Sequence, residues 1–178
     1  EMSENKPFDR LKFSIDRSIR YHARRRSFFD LFHKISMFLI IVFGSTAFAA
    51  YFKEAAGFLG LVAALIAALD LVVGFSMKAR DHALLYMRFM DIFAEMEAIS
   101  SPSEDQLANW ARQRRLIEKD EPPAYTALSL ACHNEVIRAW GLDNEDTVPL
   151  TWWQNLMMHF IKFSNHDAKS IREGADST

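Results

Sequence analysis

The chain has 178 residues, half of them hydrophobic, with one cysteine and a formal net charge of −2. A lone Cys132 excludes an internal disulfide framework and a thiolate metal cluster, and no two of the six histidines show the close spacing of a zinc motif. The small net charge is a cancellation: residues 1–34 hold 9 basic and 5 acidic side chains, residues 35–99 hold 4 and 6, and residues 100–178 hold 8 and 12.

Glu1 stands ahead of Met2 and reads as a cloning remnant. Residues 1–34 are expected to form a basic cytoplasmic segment, helical over 6–34, because Leu11, Ile15, Ile19 and His22 recur at helical spacing. Arg17, Arg20, Arg24, Arg25 and Arg26 surround that stripe just before the first apolar run. There they are expected to snorkel to lipid headgroups.

Residues 35–52 are an uncharged run of 18, and residues 55–77 carry only Asp70 in 23. A bilayer core of about 30 Å takes about 20 helical residues, so each run is long enough to span it. Only Lys53 and Glu54 separate them, which predicts an antiparallel hairpin. The basic residues before the first run, and Lys78, Arg80 and Arg88 after the second, place both ends on the cytoplasmic side of an inner membrane.

No break is evident after residue 77, so one helix is expected over 55–99, about 67 Å at 1.5 Å per residue. Its part beyond the membrane, 78–99, would be a stalk. Leu85, Phe89, Ile92 and Met96 form the apolar stripe of that stalk, and the helix around Ile15 and Ile19 is its expected partner.

A cytoplasmic helical region is expected over 100–164. Ser101-Pro102-Ser103-Glu104 reads as a capping box with proline at the first helical position. The helix it starts carries Leu107, Trp110, Ala111, Arg114 and Ile117 on one side. Glu121-Pro122-Pro123 stops that helix, and the next shows Tyr125, Leu128, Cys132, Val136 and Ala139 at helical spacing before Gly141 ends it. An acidic loop follows over 143–149. Thr151 caps a last helix over 152–163, too short to span, which either lies in the membrane interface or packs on the bundle; packing is the expectation. Residues 165–178 read as a disordered tail.

Asp70 is the sharpest single signal. A carboxylate within a span costs about 2.5–3.5 kcal/mol on insertion scales, so it should face a partner or water. One reading is a pore-lining or gating group; the other is an oligomer contact, a cap, or a pair with Lys34 or His33. Ala56, Gly60, Ala64 and Ala68 repeat every four residues, a small-xxx-small face that packs helices closely, within the hairpin or between subunits.

Catalysis finds little support. Cys132 and His133 are adjacent on a helix and point apart. No phosphate-binding glycine loop, H-E-x-x-H or G-x-S-x-G occurs, and no metal or cofactor is expected. The arginines beside a span are read as lipid-facing, and nucleic acid is not an expected partner.

The basic helix YHARRRSFFDLFHK, the tight hairpin, and the continuation LDLVVGFSMKARDHALLYMRFMDIFAEME together resemble the SLATT superfamily of two-transmembrane effectors. The segment IEKDEPPAYTALSLACHNEVIRAWG is similar to a variant found beside such hairpins, and the resemblance covers about residues 10–140. It implies an effector of prokaryotic defence, associated with nucleotide second messengers, that forms pores or disrupts membranes on activation. It transfers no catalytic residue. With no fused sensor domain, the trigger would be a separate activator protein or a nucleotide signal.

The expectation is therefore an all-α membrane protein, a two-span hairpin with cytoplasmic helices, working as a homo-oligomer in the bilayer and not as an enzyme. A membrane-anchored scaffold whose cytoplasmic helices bind a protein is the competing reading.

Overall fold

The computed structural model describes residues 6–142 and 147–163, and over them it is all-helical, with no strand. Glu1, most of the acidic loop and the tail over 165–178 lie outside the described residues. Among the described residues seven helices follow one another: α1 Lys6–Gly44, α2 Thr46–Tyr51, α3 Ala56–Val73, α4 Phe75–Glu97, α5 Glu104–Glu118, α6 Thr126–Ala139 and α7 Trp152–Met157. Two compact units share them. One takes the chain to Ala23 and from Leu84 onward; the other is Arg24–Ala83. Helices α1 and α4 each pass from one unit into the other.

The discontinuous unit is built on the stripes the sequence displays. Leu85, Phe89, Ile92 and Met96 of α4 are buried with Phe8, Ile15 and Ile19 of α1, and with Trp110 and Ile117 of α5. The expected pairing of the 78–99 stripe with Ile15 and Ile19 is thus present for residues from Leu85 onward. Burying side chains of this size stabilises a fold by about 1.5–3 kcal/mol each. A second cluster joins Tyr21 to Leu128 and Cys132 of α6, with Tyr125 and Met158 packed on it.

Helix ends follow side-chain chemistry. The α5 cap is Ser103, not Ser101: its hydroxyl accepts from the Gln106 N–H, and the Gln106 side chain accepts from the Ser103 N–H. Residues 101–104 and 103–106 both fit a capping box, and the helix takes the second, leaving Pro102 outside. Gly141 ends α6 with φ +64; its N–H donates to the Arg138 carbonyl and the Leu142 N–H to the Ile137 carbonyl, the paired bonds of a Schellman motif. Thr151 caps α7 through a box with Gln154. The helix it starts is shorter than the expected 152–163, ending at Met157 with turns to Phe160.

The hairpin unit departs from the expectation at two points. The 35–52 run is not one helix: Ser45 is extended at ψ 139, its hydroxyl accepting from the Phe48 N–H and donating to the Val42 carbonyl, so α2 starts afresh. A serine that bonds local backbone offers the chain an alternative to continuing the ladder. The expected 55–99 helix is interrupted at Gly74, where φ is +66, a left-handed conformation that glycine alone adopts without a Cβ penalty. The Gly74 N–H donates to the Asp70 carbonyl at 2.9 Å, and its own carbonyl accepts from the Lys78 N–H at 3.0 Å, so α4 resumes at once. Phe52, Lys53, Glu54 and Ala55 make the tight turn between α2 and α3.

Candidate functional site

Two stretches, Lys6–Gly44 and Ala56–Glu97, are long and apolar enough to cross a membrane, and their most apolar parts are almost entirely unburied. Phe38, Ile41, Phe58, Leu61, Leu65 and Leu69 are all exposed, as are Leu71 and Val72, each more than 80% open. A core helix of a soluble protein buries such side chains, and soluble monomers rarely expose contiguous apolar patches beyond a few hundred Å².

Within this apolar unit Asp70 has a partner. It sits one turn before Gly74 on α3, its side chain 13% exposed, and its two oxygens lie 3.2 and 3.3 Å from Nδ1 of His33 on α1. With Asp70 ionised the carboxylate can only accept, so His33 then carries a proton on Nδ1. His33 is one of the two partners considered from the sequence. Lys34, the other, reaches back one turn to Asp30 at 2.7 Å.

The small-residue stripe faces away from its own unit. Gly60, Ala64 and Ala68 are exposed and Ala56 half-buried, while Ala63 is buried and Leu59, Val62, Ile66 and Ala67 are half-buried. The hairpin therefore packs α3 through the adjacent face and leaves the close-approach face open. A Cβ built on Gly60 meets nothing within 4 Å.

The five arginines divide. Arg17 and Arg20, in the discontinuous unit, are half-buried, and Arg20 Nε donates to Asp16 at 2.9 Å. In the hairpin unit Arg24 is half-buried, Arg26 exposed, and Arg25 buried with its guanidinium carbon 4.4 Å from the Phe29 ring centroid. Phe29 also stacks on buried His82 at 5.7 Å and has Lys78 Nζ at 5.7 Å. Arg25 is thus placed for cation–π contact with Phe29.

Sequence reasoning missed the polar pair of the other unit. His22, 1% exposed, stacks on Phe89 at 5.7 Å, and its Nε2 lies 3.1 Å from Glu121 Oε1. Tyr21 Oη accepts from the Tyr125 N–H at 3.0 Å, so both ends of Glu121-Pro122-Pro123-Ala124-Tyr125 are tied to α1. His22 stood in the apolar stripe at helical spacing, which was the available signal, but the spacing named no partner. Cys132 is fully buried in the second cluster, and His133 packs edge-on to Phe13 at 5.2 Å. Among the described residues no three His, Cys, Asp or Glu side chains are grouped to hold a metal ion.

No family model, curated protein or solved structure matches the chain.

Proposed function

We propose that this protein is an integral membrane effector whose hairpin assembles with further copies of itself and acts on the bilayer, as a pore or by perturbing it. The observation that carries the reading is the open Gly60, Ala64, Ala68 face on a helix whose other exposed side chains suit lipid. Between apolar helices in lipid the hydrophobic effect gives no drive to associate, and close backbone packing at small residues takes its place. Both ends of the chain lie on the cytoplasmic side of an inner membrane in this reading, which the basic flanks support. The SLATT-like organisation adds a role in prokaryotic defence and a separate activator.

The test is the subunit count of the protein in nanodiscs, by single-particle imaging with an independent mass, joined to dye release from vesicles. A closed ring of four or more that releases dye supports the pore. A monomer that leaves vesicles sealed overturns it.

A second reading has its own support. The discontinuous unit builds a core from α1, α4, α5 and α6, and Asp70 is occupied by His33. Both features suit a tethered scaffold in which the helical unit binds a partner protein. Binding of that partner by a chain that leaves vesicles sealed would select it.

A further inference from the structure

The segment over 151–162 docks on one side and is open on the other. Gln154 is buried in its capping box, Met157 and Met158 are half-buried, and Met158 packs on the cluster of Tyr21, Leu128 and Cys132. Lys162 Nζ lies 5.8 Å from the Tyr125 ring centroid. Trp152, Trp153, Leu156, Phe160 and Ile161 all point outward, Trp152 at 75% exposure. Their spacing puts them on one stripe, continued past α7 by the bonds of the Phe160 and Ile161 N–H groups to the Met157 carbonyl.

We propose that this stripe is a second membrane contact, seated in the headgroup–acyl boundary of the bilayer and holding its helical unit to the lipid surface. The inference rests on the reading that the hairpin is membrane-inserted, and extends it to a part of the chain too short to span. Three observations select lipid as the occupant. Tryptophan has an apolar body and a wet N–H, the combination the interface rewards, and here two indoles lie edge-to-face at 5.6 Å beside Leu156. Residues 147–163 contain Lys162 and no Asp or Glu, so anionic headgroups are not repelled by the segment. Five apolar side chains are also far fewer than the roughly 20–30 residues a side that a standard protein interface uses.

The experiment compares the full chain with the Trp152→Phe/Trp153→Phe variant, which keeps the apolar surface, in nanodiscs with and without phosphatidylcholine brominated near the headgroup. The difference between the two emission spectra isolates the two outward indoles from Trp110 and Trp140. Shallow bromines are expected to remove most of that difference emission, which should have a blue-shifted maximum. A red-shifted, unquenched difference spectrum would place the indoles in water and overturn the anchor. A blue-shifted but unquenched spectrum would mean that protein covers them, and overturns it equally. Resistance of the parent to alkaline carbonate extraction is scored separately: retention with either unquenched result sinks the anchor alone, whereas extraction sinks the membrane reading and the anchor with it.

Discussion

His33 and Asp70, 37 positions apart in sequence, meet inside the hairpin unit with Nδ1 within 3.3 Å of both carboxylate oxygens. The pair offsets the cost of a carboxylate in an apolar helix. It also opposes the unfavourable position of a negative charge in the last turn of α3, where the helix dipole is negative. His33→Ala is expected to lower stability by about 1–3 kcal/mol, the usual cost of stripping a partner from a largely buried polar group. Asp70→Asn should cost less, and a double-mutant cycle in thermal denaturation should show the two coupled. If Asp70 also serves an ion path, Asp70→Asn changes flux while the subunit count stays the same; unchanged flux makes it structural.

Substitution at Gly60 distinguishes the chain's own packing from the proposed packing between copies. Space around its Cβ position is open within the chain and leucine is the better helix former, so Gly60→Leu should not lower the stability of a single copy. The same change should lower the subunit number in nanodiscs, because a bulky side chain holds helices apart. Unchanged mass with Gly60→Leu would remove this face from the assembly.

Gly74 should resist substitution for a backbone reason. Its φ of +66 is strained for any residue with a Cβ, so Gly74→Ala is expected to cost about 1–2 kcal/mol or to straighten the junction of α3 and α4. Thermal unfolding measures the first outcome. A changed distance between spin labels placed at Leu71 and Met77 reads the second.

His22 and Glu121 should behave unequally. His22 is fully buried against Phe89, so His22→Ala creates a cavity and should cost about 2–4 kcal/mol in denaturant unfolding. Glu121 is 22% exposed and can reach water, so Glu121→Gln should cost less than about 1 kcal/mol. Equal losses would show that the polar contact, not the packing, carries the effect.

Asp30 gives a pH prediction. The hydrogen bond from Lys34 holds its carboxyl below the usual carboxylate range, outweighing desolvation, with further help from the charges of Lys34, Arg26 and His33. A depressed carboxyl contributes stability that is present above its unfolded pKa and lost as pH falls through the folded one. Carboxyl-detected titration should therefore find Asp30 acidic, and Lys34→Ala should move it up toward an ordinary aspartate.

Local rules were legible in the chain. The apolar runs over 35–52 and 55–77 marked the helical hairpin, though Ser45 and Gly74 interrupt them, and Thr151 and Gly141 fixed a helix start and a helix end, because caps and hydrophobic length act within a few residues. The stripe of Leu85, Phe89, Ile92 and Met96 even indicated its partner in Ile15 and Ile19, since two apolar faces in water have few other places to go. Tertiary structure decided which of two equivalent boxes starts α5, and that Ser45 and Gly74 break long runs whose neighbours are good helix formers. It alone decided the pairing of His22 with Glu121, 99 positions away, and which side of α3 is covered. Periodicity tells which residues share a face; only the packing of other helices tells which face is left open, and here that face is Gly60, Ala64 and Ala68.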